Sequence, residues 1–523
     1  MSDVLKNLAP QLHPHAPFQE KAGEELLEVS SPASSAATVY EKIRNTFDYQ
    51  EDHLLRRNAI LRIMKRYAGA ERDLSEHASD LMRELVWAKY LPNKTIPLAF
   101  SKVIEQAIQK YEVLLKAVSG RSPKEREDLY RWIFDVLATD LDQLLVPITH
   151  EEALASFMYD ALKKRIDWDP ALKLSDQEKD LRLYTAVHRV LLKSNVGILR
   201  YRVLTLYYPD WQHASPERVQ EIAAHLLRIV HTIESDIANP LADRLMRLIR
   251  RKAGLFRVIA NALHSAKPDA ALFHDSAALD RAVAAELSKR IEDFQVRLRR
   301  TVVRSVAFLF LTKMLLALLI ELPYDLFLHN GDVPMYPLFV NILFHPFFLA
   351  VIGLSVSLPG DSNVTDYTAA ARALAVGADH PLLHTRIKAH KRTSWTAVFA
   401  AMYAVLFVAV YSAIGSTLHA LGFHGLSIGL FLFFLSLVTF FGIRIRMSVR
   451  DIVLSDARSG FFGSLFDVLF LPIVQAGSWL STKVSKINVF IYFFDFIVEA
   501  PLKVAIEFVE GWLAFVREKK EEI

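Results

Sequence analysis

The chain has 523 residues, with 62 Lys and Arg against 58 Asp and Glu, 52% apolar and 23% charged residues. That composition excludes a disordered polymer, a collagen and a disulfide-stapled miniature, and the lack of cysteine removes disulfides, thiolate nucleophiles, Cys-type zinc sites and Cys-ligated iron–sulfur clusters together. A net charge of +4 argues against a nucleic-acid partner, while 45 of the basic and 42 of the acidic residues precede position 301, so the chain is divided between two solvents.

Residues 1–36 contain no basic-then-apolar stretch of the kind a cleavable signal peptide needs, and are expected to form a disordered N-terminal tail, with His13-Pro14-His15 solvated rather than metal-bound. From 37 to 300 only Gly69, Gly120, Gly197 and Gly254 interrupt a pattern of apolar residues at three- and four-residue spacing, which predicts an all-helical cytoplasmic domain. Thr149 with Glu152 and Ser175 with Glu178 have capping-box spacing, and Ser122-Pro123 and Ser215-Pro216 place an oxygen acceptor before a first-turn proline, so each predicts a helix start. Leu54, Ile60, Leu61, Met64 and Tyr67 form one apolar face, with Arg56, Arg57, Lys65 and Arg66 around it.

Four apolar stretches follow, about 302–322, 338–358, 395–418 and 426–443, each long enough for the ~20 residues that a helix needs to cross a bilayer. The fold class expected is therefore all-α: a large cytoplasmic helical domain, a four-span α-helical membrane domain at 301–445, and C-terminal amphipathic or membrane-associated helices at 446–523. Basic clusters flank the spans on one side: Arg297, Arg299, Arg300 and Arg304 before the first, Arg386, Lys388, Lys391 and Arg392 before the third, and Arg444, Arg446 and Arg450 after the fourth. The connection 321–337 carries Glu321, Asp325 and Asp332 and no basic residue. By the excess of positive charge in cytoplasmic loops, both termini face the cytoplasm of an inner membrane.

In the third span Ala400 and Ala404, Ala409 and Ala413, and Ser412 and Ser416 lie four apart, and Gly425 and Gly429 open the fourth in GxxxG spacing, which predicts a tight hairpin of spans three and four. Phe461 to Leu480 is apolar enough to cross, but crossing would carry Lys483 and Lys486 outward, so an interfacial or tucked helix is expected. Ser464, Asp467, Gln475, Ser478 and Thr482 make one polar stripe there, and Asn488, Asp495, Glu499, Lys503, Glu510 and Arg517 a second.

Lys313 is the leading candidate for function, because an ammonium at mid-span costs on the order of 2.5–3.5 kcal/mol and demands a partner or a route to water. Glu321 is eight residues along the same helix, about 12 Å, too far for direct contact. Asn341 and His345, one turn apart on the second span, are the nearer candidates, with Asp467, Asp495 or Glu499 as alternatives and snorkelling as the structural reading. Pro346 frees a backbone carbonyl near Asn341 or Ile342 and predicts a kink. Arg244, Arg247, Arg250, Arg251 and Lys252 cover more than two helical turns and are expected to face lipid phosphates. Asp379, His380, His384 and His390 lack the Glu of a zinc-hydrolase motif, so neither a metal nor another cofactor is expected.

No GxxxxGK[ST], GxGxxG or GxSxG signature occurs, and no enzymatic activity is expected. The leading expectation is a membrane-anchored helical scaffold or adaptor recruiting a protein partner or anionic lipid. The alternative is an oligomeric channel or carrier using Lys313, Asn341 and His345, and a membrane-embedded lipid enzyme comes third. Four spans are few for a monomeric carrier, so the second reading requires a homo-oligomer.

Overall fold

The computed structural model describes residues 8, 25–29, 52–69, 73–265, 276–328, 335–389, 396–449, 452–454 and 470–480. They are overwhelmingly helical and fall into two compact units, one formed by described residues within 25–163 and 174–249 and the other by described residues within 164–173 and 250–480.

The first unit, the head, is built from α1 (Asp52–Tyr67), α2 (Ala78–Trp87), α3 (Ser101–Val118), α4 (Pro123–Leu145), α5 (Thr149–Lys163), α6 (Asp176–Leu191), α7 (Val196–Tyr207), α8 (Pro216–Ala224) and α9 (Leu226–Ile237). Ser175 and Glu178 form the expected capping box, and Ser215 Oγ accepts from the Arg218 amide above Pro216. The other two helices also start where expected, at Pro123 and Thr149, but with different contacts. Ser122 gives its hydroxyl to Glu125 rather than capping α4, and α5 begins at Thr149 itself while Glu152 ion-pairs with Arg202.

α4 is the central helix. From Leu129 to Leu145 it is buried on almost every side, packed by α1, α3 and α7, with Asp135, Asp140 and Asp142 breaking its apolar sequence. Arg57, expected outside the apolar face of α1, is instead buried, with Nη2 donating to Asp135 at 2.6 Å and Nε to Thr139 at 3.1 Å. Asp140 on α4 is fully buried and accepts from Tyr111 Oη and Tyr201 Oη, each at 2.9 Å, and from Lys110 Nζ at 3.3 Å, so its charge is met by groups from α3 and α7.

Part of the expected tail is ordered. Leu26 bridges to Pro97 in antiparallel fashion, the Leu27 amide donates to Ile96 O at 2.8 Å, and the Asn93 side chain bonds Val29 in both directions, burying Leu27 and Val29 in the head core. A single apolar Leu-Leu-Glu-Val step amid polar sequence carries no periodic signal, and its partner strand lies far along the chain.

The second unit, the membrane unit, contains α10 (Pro240–Ser265) from Arg250 onward, α11 (Ser276–Leu316), a π turn (Ala317–Glu321), α12 (Leu322–Leu328), α13 (Met335–Leu354), α14 (Asp361–Val376), α15 (Thr396–Ala420), α16 (Gly425–Val449) and α17 (Phe470–Leu480). Among the described residues four helices are long and apolar enough to span a membrane: Ser276–Tyr324, Met335–Leu354, Val398–Ala420 and Gly425–Val449. The first continues unbroken from Ser276, because Leu279, Val283 and Leu287 keep a helical apolar face ahead of the apolar run.

The connection between spans two and three is folded. α14 packs on α11 and ends at Gly377, whose φ of +71° lets the Ala378 amide reach Ala373 O at 2.8 Å. Beyond it β2 (Thr385–Ile387) pairs in parallel with β1 (Ile166–Trp168), in the register Ile166 to Thr385 and Trp168 to Ile387. Asn363 on α14 holds the segment after span four through both ends of its amide, donating to Ile452 O and accepting from the Leu454 amide, each at 3.1 Å.

The hairpin of α15 and α16 turns at Gly422, where φ is +85° and the Phe423 amide bonds Leu418 O at 3.0 Å. Its seam is not the predicted one. Ala400, Ala404, Ala409, Ala413, Ser412 and Ser416 are exposed, and a Cβ added at Gly425 or Gly429 meets nothing within 4 Å. Close approaches form elsewhere: between spans two and four, where a Cβ on Gly442 would lie 2.7 Å from Ile352 Cδ1, and between spans one and two, where one on Gly353 would lie 2.6 Å from Val302 Cγ1. Small residues permit close packing, and which of them are used depends on the phase of the facing helix. α17 packs on the same helices through Ile473, with Pro472 in its first turn.

Asp140→Ala removes the acceptor of the Tyr111 and Tyr201 hydroxyls and leaves Lys110 with only the Trp211 and Gln212 carbonyls, and loss of one member of a buried pair costs ~3–5 kcal/mol. Urea unfolding of the full-length protein, followed by tryptophan fluorescence, is expected to show a loss of that size; a loss below ~1 kcal/mol would mean that the network is solvated.

Candidate functional site

α11, the π turn, α13 and α16 bring together the intramembrane residues singled out from the sequence. Lys313 is 1% exposed and Asn341 1%, which rules out snorkelling for the lysine. Lys313 Nζ donates to Asn341 Oδ1 at 2.7 Å, and Asn341 Nδ2 donates in turn to Glu321 Oε1 at 2.5 Å. The ammonium also lies 4.2 Å from the centroid of the Phe434 ring on α16, a contact worth about 2 kcal/mol when desolvated. A cation and an anion are thus joined through one amide, whose carbonyl and amino ends match the donor and the acceptor.

Glu321, expected as an outer-loop charge, is 2% exposed and belongs to the site. The π turn is the reason. In an uninterrupted α-helix eight steps of about 100° place Glu321 some 80° around from Lys313. A π turn takes in one extra residue and removes roughly 100° of rotation, so Glu321 comes back to within about 20° of the lysine's face. Direct contact is still replaced by the bridge through Asn341. Periodicity alone does not reveal a π turn, and an acidic residue closing an apolar span was the only signal in the sequence.

His345, fully buried on α13, does not bond Lys313. Its Nδ1 faces Asn341 O at 3.2 Å and its Nε2 faces Phe431 O on α16 at 3.0 Å, while Phe431 meets the ring edge-on at 4.6 Å between centroids. A neutral imidazole donates through one nitrogen only, so one of these contacts is its hydrogen bond and the imidazolium alone makes both. Pro346 lies within the continuous helix α13, buried beside these contacts. Leu309, Leu349 and Val438 close the apolar surroundings.

The basic clusters are distributed differently from one another. Arg297, Arg299, Arg300 and Arg304 on α11, and Arg444 and Arg446 on α16, are exposed beside the apolar stretches. On α10, Arg247 and Arg250 are exposed and Arg244 and Arg251 half-buried. Lys252 corrects the lipid-facing expectation. It is buried, and its ammonium donates to Leu383 O and His384 O, each at 2.6 Å, and to Thr385 Oγ1, so it pins the strand β2 instead of meeting headgroups. Burial lowers its pKa to about 8. Arg450, Asp467, Asp495, Glu499, Lys503 and Glu510 lie outside the described residues.

On the connection 359–394, His384 Nε2 bonds the Asp379 carboxylate at 2.6 and 2.7 Å, and Arg165 approaches the same carboxylate at 3.4 Å. His380 Nδ1 accepts from the Leu382 amide and so caps the turn at Pro381–Leu383. Among the described residues no three His, Asp or Glu side chains are grouped as metal ligands. No family model, curated protein or solved structure matches this chain.

Two outcomes follow from these contacts. Lys313→Met alone and Glu321→Gln alone each strand a buried partner, at a cost of ~3–5 kcal/mol, whereas the double variant Lys313→Met/Glu321→Gln recovers most of that loss; thermal unfolding in detergent of all four proteins measures the coupling, and additive losses would disprove the bridge. For Lys252 the folded pKa lies below the unfolded value of 10.5, so the unfolded state binds more protons between pH 8 and 10.5 and stability rises with pH across that window. The stability of the wild type relative to Lys252→Met is therefore expected to increase from pH 8 to 10.5, and a flat difference would show that the ammonium is solvated.

Proposed function

We propose that this chain is a membrane-anchored helical scaffold or adaptor, tethered by its four spans, that recruits a protein partner or anionic lipid at the cytoplasmic face of an inner membrane. The observation that carries this reading is the closed chain Lys313, Asn341, Glu321: the charged groups inside the spans use their bonding capacity on one another. Such a bridge locks α11 to α13, and His345 on α13 sets its Nε2 3.0 Å from Phe431 O on α16, so the intramembrane polar groups serve to hold spans together. The exposed arginines of α11 just before its apolar stretch, and those near the end of α16, supply the lipid attraction, each worth ~1 kcal/mol near an anionic surface.

Mass spectrometry of lipids copurified with the protein is expected to show anionic headgroups enriched over the bulk membrane. Replacing Arg297, Arg299, Arg300 and Arg304 with Gln should remove that enrichment while the thermal unfolding temperature stays put. Absence of both lipid enrichment and a reproducible partner in a detergent pull-down would overturn the proposal, and a solute flux in proteoliposomes that Lys313→Met abolishes would replace it with a carrier.

A further inference from the structure

A groove of about 420 Å³ lies among α15, α16 and α17 in the membrane unit. α15 contributes Tyr403, Phe407 and Tyr411, four apart on one helical face, α16 contributes Phe433, and α17 contributes Ala476 and Trp479. Trp479 is 61% exposed and Phe433 40%, so the groove opens to the surroundings of the spans. No charged side chain lines it, and two of its few polar atoms, Tyr411 Oη and Ser436 Oγ, bond each other at 2.6 Å. Gly477 seats α17 directly on α16, since a Cβ there would lie 2.7 Å from Phe440 Cβ.

The bond between Tyr411 and Ser436 also sets the register of the antiparallel pair α15 and α16. Tyr403 lies eight residues back along α15, about 12 Å, and Arg444 lies eight residues on along α16, at the same level. The groove therefore follows the helix axes for about 12 Å and has an arginine at one end. Arg444 is the first charged residue after the apolar run 426–443, is exposed, and has no carboxylate partner among the described residues. It follows Phe433 by eleven residues, three turns and about 20°, and so shares its side of α16. Arg446 is about 200° away from it around the helix.

The dimensions decide what the groove admits. Its volume spread over that length leaves a cross-section of about 35 Å², less than half of the roughly 80 Å² that a helix with side chains occupies. A partner helix does not fit, and a single hydrocarbon chain does.

We propose that the groove is a site for one anionic phospholipid, with an acyl chain along Tyr403, Phe407 and Tyr411 and the phosphodiester on the Arg444 guanidinium. An uncharged aromatic slot suits hydrocarbon, and a guanidinium where the apolar run ends suits phosphate oxygens. A zwitterionic lipid brings its own cation beside the phosphate and gains less from the arginine. This rests on the reading of the chain as one that takes anionic lipid, and it gives that lipid a defined seat away from the arginines of α11.

The test uses the full-length protein in phosphatidylcholine vesicles holding increasing fractions of phosphatidylglycerol with two bromines on one chain, which quenches tryptophan on contact. The signal of Trp479 is the difference between the wild type and Trp479→Phe. Half-quenching is expected at a mole fraction about fivefold lower for brominated phosphatidylglycerol than for brominated phosphatidylcholine, the ratio given by ~1 kcal/mol for one arginine near an anionic headgroup. Arg444→Gln, at an exposed position where folding is not at risk, should abolish that preference, and Arg446→Gln should keep it. Ala476→Phe, which fills the groove and leaves Arg444 in place, should abolish it as well. Equal half-quenching by the two lipids, equal losses in Arg444→Gln and Arg446→Gln, or a preference retained in folded Ala476→Phe would each overturn the proposal. So would the lack of any quenching of Trp479, the result expected if a second copy of the chain covers the groove. Copurified anionic lipid without a preference at Trp479 overturns this site and leaves the function proposed above standing, whereas a preference at Trp479 without enrichment in the copurified lipid supports the site and counts against that function.

Discussion

An ammonium in hydrocarbon has to find its counter-charge inside the protein, and the packing of spans one, two and four follows from that requirement. Lys313 reaches Asn341, Asn341 reaches Glu321, and the Phe434 ring covers the remaining face of the cation. Apolar side chains alone give weak orientation in a bilayer, since lipid tails compete on equal terms with leucine. A bridged charge pair has no such competitor, so it fixes both the rotation of α11 about its axis and the height of α13 beside it.

The same rule operates in water-facing parts of the chain. Asp140 in the head and Lys252 in the membrane unit are buried charges surrounded by matching groups, two tyrosine hydroxyls and a lysine for the first, two carbonyls and a hydroxyl for the second. In each case the matching groups come from elements distant in sequence. Apolar packing supplies the bulk of the burial, and these polar centres select one arrangement of helices among several that would bury similar area. In the spans the donors and acceptors are used on each other, which suits a lock.

The sequence by itself determined the class of the protein: runs of some twenty apolar residues and three-to-four-residue periodicity are local properties, so the all-α character, the four span-length helices and the starts of α6 and α8 were legible residue by residue. It also identified Lys313, Asn341 and His345 as the unusual intramembrane set. Tertiary structure alone decided the rest. Glu321 entered the site through a π turn that changes helical phase without changing composition, Lys252 turned inward because β2 offered it three acceptors, and the glycine contact formed at Gly442 instead of at Gly425 and Gly429. Each of these depends on which helix faces which and at what rotation, and that is set by contacts between residues far apart in the chain, where local periodicity carries no information.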